Sequence, residues 1–153
     1  MRAVVQRCHH ASVVVNHETV GQIGPGAVVF LGVLAGDDLA CARRLAEKVA
    51  RFRFFEDDRG RMGRSILDLE DQEPAAALLV VSQFTLAADG RKGRRPSFDR
   101  AAPPEAAEPL YEAFCTALRE LGVHVETGRF RAEMTVDVSG DGPVTFVLDE
   151  PFM

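Results

Sequence analysis

Two short segments carry polar groups that are hard to assign to packing. Gly140-Asp141-Gly142-Pro143-Val144-Thr145 falls between two strand-like stretches near the C-terminus, and Ser82-Gln83-Phe84-Thr85-Leu86 closes an apolar run in mid-chain. Proline gives a sheet no donor, glycine tolerates angles closed to other residues, and X-Pro is the peptide bond with an appreciable cis population. A Gly-Pro pair placed there makes an ordinary hairpin turn or aims backbone carbonyls outward in a fixed direction. The residues alone allow both. The Ser-Gln-Phe-Thr run places hydroxyls and a carboxamide where a buried strand reaches the edge of its sheet.

Standard catalytic motifs are missing from the chain. There is no Gly-x-Ser-x-Gly elbow, Walker loop, His-Glu-x-x-His or Cys-x-x-Cys. His9 and His10 are adjacent, so in an extended chain they point to opposite faces and do not share a metal. His17 falls in a turn and His124 at a strand start, neither beside a nucleophile. Cys8, Cys41 and Cys115 are an odd number without paired spacing, which suggests reduced, buried thiols. Glu56-Asp57-Asp58 next to Arg59-Gly60 reads as a solvated turn. No metal and no cofactor is expected.

Charge separates one loop from the rest. The chain carries a formal -5, which argues against sequence-blind nucleic-acid binding. Residues 91–100 nevertheless hold Arg91, Lys92, Arg94, Arg95 and Arg100 against Asp99, a local +4 that leaves -9 elsewhere. Such a loop is a solvated surface or a local phosphate contact. The planar, multi-donor arginine heads and the nearby Phe98 suit the second reading.

The elements that position these segments follow from periodicity. At 153 residues, 46% apolar and 27% charged, the composition is that of one globular domain spanning 1–153. No apolar run is long enough to cross a bilayer, and Arg2 and Arg7 come too early for a secretory signal, so a cytoplasmic protein is expected. Strands are predicted over Ala3 to Cys8, Ala11 to Val15, Val20 to Ile23 and Ala27 to Leu34. Apolar residues from Leu39 to Phe52 recur at helical spacing, which predicts a helix from an Asp37 N-cap to about Phe54. Leu78 to Leu86 reads as a buried central strand. Pro103-Pro104-Glu105 opens a second helix that Gly122 ends, with Pro109 early enough to be tolerated. Val123 to Glu126, Ala132 to Val138 and Val144 to Leu148 complete the sheet.

The whole chain resembles the bacterial D-aminoacyl-tRNA deacylases. The resemblance is carried by Met1 to Arg7 with Ala11-Ser12-Val13, Gly21 to Gly26, Leu31-Gly32-Val33 and Ser82 to Leu86. It continues through Lys92 to Phe98, Leu110-Tyr111-Glu112, Gly128-Arg129-Phe130 with Met134, and Gly142-Pro143-Val144-Thr145. The Ser-Gln-Phe-Thr-Leu and Gly-Pro-Val-Thr motifs, in this order, are the specific part. One departure is Gly140, where the family usually has asparagine two residues before its Gly-Pro.

The resemblance implies an α+β fold: a curved, barrel-like, mainly antiparallel sheet with two main helices, in a homodimer with active sites at the interface. It implies an aminoacyl-tRNA substrate bound by its acceptor end, hydrolysis of D-aminoacyl and glycyl esters, and rejection of L-aminoacyl esters. The rejecting element would be a cis Gly142-Pro143 dipeptide projecting into the partner's pocket. Gln83, Phe84 and Thr85 would form the catalytic pocket, with the Phe84 and Thr85 amides around the ester and the ribose 2′-hydroxyl assisting water. Ser82, Phe130 and Met134 would bind substrate, Phe130 and Met134 taking the adenine, although Met134 fits core packing equally well. Arg94 and Arg95 are the expected tRNA phosphate contacts. Three other readings remain: an RNA-binding module without catalysis, a covalent hydrolase using Thr85 or Ser82, and a sister deacylase removing L-alanine. Gln83-Phe84-Thr85, in place of the sister family's different tetrad, disfavours the last.

Overall fold

The computed structural model describes residues 1–151. In chain order the elements are β1 (Arg2–Val15), β2 (Glu18–Ile23), β3 (Gly26–Gly32), α1 (Leu39–Arg51), β4 (Phe55–Glu56) and β5 (Met62–Arg64). They continue with β6 (Ala77–Ser82), α2 (Pro104–Glu120), β7 (Val125–Thr127) and β8 (Thr135–Asp149). The fold is α+β, with a nearly closed, barrel-like sheet. Among the described residues no helix is long and apolar enough to cross a membrane.

β1 organises the sheet. Its N-terminal half pairs antiparallel with β3 (Ala3 opposite Leu31) and its C-terminal half with β2 (Ala11 opposite Ile23). β8 runs antiparallel to β1 along most of its length. β6 adds parallel to β3, and β7 parallel to β6. The sheet is therefore mixed on the β6 side, while the pairings of β1 with β2, β3 and β8 keep it mainly antiparallel. A parallel partner needs a crossover, which α1 and the following segment supply between β3 and β6. β2 then meets β7: a side chain on Gly21 would sit 2.3 Å from Thr127 O, so glycine lets the barrel close.

Alternation decides which residues fill which side. Cys8, Ala11, Val13, Val15, Ile23, Val28, Leu79 and Val81 pack together inside the barrel. Ala3, Val5, Val29, Leu31, Leu78 and Val80 face the other way, under Leu45 and Val49 of α1 and Phe114 and Leu118 of α2. β6 is thus buried on both faces, which explains its unbroken apolar run.

Two boundaries, both of α1, differ from the sequence reading. Asp38, not Asp37, caps α1 by accepting from Cys41 N–H (2.8 Å), because Asp37 is engaged by Leu34 N–H (2.7 Å) and the Met1 ammonium (2.8 Å). α1 stops at Arg51, since Phe52 is already extended (ψ 129°) and turns its ring towards Phe146, 5.1 Å away. α2 ends as expected, with Gly122 at φ +94° and Val123 N–H reaching back to Leu118 O (3.1 Å).

Candidate active site

β6 ends at Ser82. Gln83 N–H still bonds Leu31 O of β3 (2.8 Å), but the chain then folds into a 3₁₀ turn over Phe84–Ala87 instead of continuing to Leu86 as a strand. Leu86 N–H donates to Gln83 O (3.2 Å) and Ala88 N–H to Thr85 O (3.0 Å). A 3₁₀ turn leaves its first two amides without an internal partner, and here those belong to Phe84 and Thr85. Gln83 Nε2 donates to Thr85 Oγ1 across the turn, which orients the hydroxyl. Gly32 lets the turn lie close to β3: a Cβ there would be 2.8 Å from Leu86 Cβ and 3.1 Å from Gln83 O.

A cavity of about 640 Å³ opens beside this turn. Ser82, Gln83 and Phe84 form one wall, Ala107 and Tyr111 of α2 another, and Phe130 and Met134 a third. Tyr111 is fixed by donating to Val80 O (2.8 Å), and burial holds its phenol protonated, well above the usual range. Its ring lies 5.8 Å from that of Phe130. Gly128 makes room for the Met134 thioether, since a Cβ there would be 2.8 Å from Met134 Sδ. Phe130 and Met134 are both partly buried, so each keeps surface for a ligand. Among the described residues, no histidine, aspartate or glutamate lines the cavity.

Ser82, Gln83, Phe84, Phe130 and Met134 thus come together on one cavity. Thr85 is exposed beside it. Arg94 and Arg95 are exposed in the basic loop and are not part of the wall. That loop is anchored by Asp89, which exchanges backbone hydrogen bonds with Ser97 (2.8 and 2.9 Å). The side chain of Arg91 hydrogen-bonds Asp89 and holds its carboxyl down at about 2.

Gly142 and Pro143 lie elsewhere in their own chain. They do not separate two strands or make a hairpin turn, as the sequence pattern suggests, but bulge from the middle of β8. β1 advances from Gln6 to Cys8 while β8 passes from Thr145 to Gly140, so residues 141–144 stand opposite the single residue Arg7. Gly142 (φ +122°) and Pro143 are exposed, and the bond between them is cis, as are Glu73-Pro74 and Glu150-Pro151. Arg7 is the residue the sequence reading missed. Its side chain is buried, Nη1 donates to Phe54 O (2.9 Å), and Nε lies 3.1 Å from Asp141 Oδ2 at an angle that makes an ion pair without a hydrogen bond. A Cβ on Gly142 would sit 3.3 Å from Arg7 Nη2 and 2.9 Å from Val144 N. The signal was present: alternation puts Arg7 on the face of Ala3 and Val5, where an arginine needs a reason.

Fold and site define an α+β barrel protein with an open, largely apolar cleft at the end of one buried strand and polar groups on its lip. The chain belongs to the D-Tyr-tRNA(Tyr) deacylase family, whose model matches residues 4–149. It is 60% identical to the D-aminoacyl-tRNA deacylase of Symbiobacterium thermophilum over 97% of this chain and 95% of that protein. The Thermus aquaticus D-aminoacyl-tRNA deacylase is 55% identical over 97% and 95%. Among solved structures, the c-Myc DNA Unwinding Element Binding Protein superposes with a TM-score of 0.88 at 37% identity, covering 99% of each chain. A probable eukaryotic D-amino acid tRNA deacylase shares the fold, with a TM-score of 0.81 at 19% identity, over 96% of this chain and 97% of that one.

Proposed function

We propose that this protein hydrolyses the ester of D-aminoacyl-tRNA, and of glycyl-tRNA, at the cavity beside residues 82–85, as a chiral proofreading step of translation in the cytoplasm. The observation that carries the reading is the pairing of two unpartnered backbone amides, Phe84 and Thr85, with a base-sized cleft walled by Phe130 and Met134. Membership of the deacylase family supports the activity.

Each group has a task in that scheme. The terminal adenine enters between the Phe130 ring and the Met134 thioether, one flat face and one adaptable one. The ester carbonyl then meets the lip of the turn, where amides aimed at a developing oxyanion stabilise the transition state. Gln83 holds Thr85 Oγ1 in place and sets the pocket's polar edge. Among the described residues no side-chain base lines the wall, so water is activated by the substrate's own 2′-hydroxyl, and no acyl-enzyme forms. Arg94 and Arg95 meet the acceptor-end phosphates.

Selectivity comes from a second copy of the chain. Gly142 and Pro143 are exposed and do not line the cavity of their own chain, a placement suited to action in trans. A homodimer that inserts this bulge into the partner's cavity sets carbonyls against the α-carbon of the aminoacyl group. An L side chain collides with them and a D side chain points away. Such rejection needs no recognition of the side chain.

Turnover is the test of the reaction class. Catalytic amounts of the protein, incubated with D-tyrosyl-tRNA and with glycyl-tRNA, are expected to release many equivalents of amino acid. Binding without release would replace the enzyme by an RNA-binding module, and a trapped acyl-enzyme would revive the covalent scheme.

A further inference from the structure

Phe84 and Phe98 are the large aromatic side chains left most exposed among the described residues, at 60% and 38%. A single exposed phenylalanine needs no explanation. These two stand together, with ring centroids 5.1 Å apart and planes inclined at 57°. Backbone contacts fix both. Phe84 opens the 3₁₀ turn rooted on β3 through Gln83 N–H, and Phe98 follows Ser97, which is locked to Asp89, while Phe98 O accepts from Ala101 N–H (3.0 Å).

Their position narrows what they can meet. Phe84 forms part of the cavity wall that also holds Phe130 and Met134, and Phe98 closes the loop carrying Arg91, Lys92, Arg94 and Arg95. An apolar, ring-faced patch between a base-sized cleft and a cationic loop, on a chain of net charge -5, is complementary to a polyanion with flat faces. A single-stranded nucleic acid has that chemistry.

We infer that the Phe84–Phe98 pair is a stacking platform for the base immediately 5′ of the terminal adenosine. The inference rests on the reading above, in which that adenosine occupies the Phe130–Met134 cleft. Stacking reads no base edges, so the subsite takes any base. The basic loop meets the phosphate that follows it along the strand.

The test uses D-tyrosyl esters of adenosine, of the dinucleotides CpA and UpA, and of a dinucleotide whose 5′ residue is abasic, with wild type, Phe98→Ala and Phe98→Trp. Wild type is expected to show kcat/KM about tenfold higher for both CpA and UpA esters than for the abasic one. That preference should collapse to about one in Phe98→Ala and return in Phe98→Trp. Equal wild-type rates on intact and abasic dinucleotides would overturn the inference and leave the deacylase reading standing. A Phe98→Ala variant that loses the same factor on every ester, or that falls to a smaller mass by light scattering, would assign the pair to packing or to a contact between copies. Failure of wild type to cleave any of the esters would remove the parent reading and this one with it.

Discussion

Thr85 Oγ1 is held by Gln83 in an exposed position at the cavity's lip, a placement for orienting an ester rather than for attacking it. A hydroxyl nucleophile needs a base within reach, and among the described residues no imidazole or carboxylate lines the cavity. Thr85→Ala is therefore expected to lose about tenfold in kcat, the scale of one hydrogen bond, measured under saturating D-tyrosyl-tRNA. A loss of several orders of magnitude would make Thr85 the nucleophile. The polar residues at the end of β6 were legible because a buried strand that ends in Ser-Gln-Phe-Thr has no packing use for them. Arg7 was less legible, since its partners Asp141 and Phe54 O come from distant parts of the chain and only its inward parity gave a hint.

At the scale of elements, the site depends on how closely the 84–87 turn lies against β3. Gly32→Ala should force the turn away from Leu31, lowering kcat and costing about 1–3 kcal/mol in urea unfolding, the range for overpacking. Gly24→Ala, where no atom lies within 4 Å, is the control expected to do neither. The turn is also tied to β8 through Arg2, which grips Asp149 with Nε (2.6 Å) and Nη2 (3.0 Å) and reaches Leu86 O with Nη1 (3.5 Å). The hydrogen bond from Arg2 lowers the Asp149 carboxyl below its ordinary 3.8, so the folded state binds that proton less readily than the unfolded chain. The resulting stability is present above that ordinary value and is lost as pH falls through the lowered one. Urea midpoints of wild type and Asp149→Asn should differ at pH 6 and converge towards pH 3; an unchanged gap would disprove the linkage. Helices and most strands could be read from periodicity. The continuity of β8 through Gly-Asp-Gly-Pro could not, because proline and glycine signal a turn locally and only the pairing with β1 turns that signal into a bulge. Parallel pairing of β6 was hidden for a similar reason: a strand buried on both faces looks alike in either direction.

At the scale of the molecule, the cavity and the Gly142-Pro143 bulge are separate features of one chain, and the proposed selectivity needs two chains. Gly142→Ala is expected to displace the bulge, because φ +122° and the 2.9 Å approach to Val144 N leave no room for a methyl group, and so to weaken discrimination between D and L esters. A heterodimer joining this chain to one carrying Phe130→Asp separates the two features. Its only working cavity belongs to the Gly142→Ala chain and faces an intact bulge, so D selectivity should return. Persistent loss of selectivity would place the bulge's action within its own chain. The most direct measurement is single-turnover hydrolysis of one tRNA charged with D-tyrosine or with L-tyrosine, followed beside a buffer blank. The expected result is rapid loss of the D ester while the L ester decays no faster than in buffer; comparable hydrolysis of both, or of neither, would contradict the account.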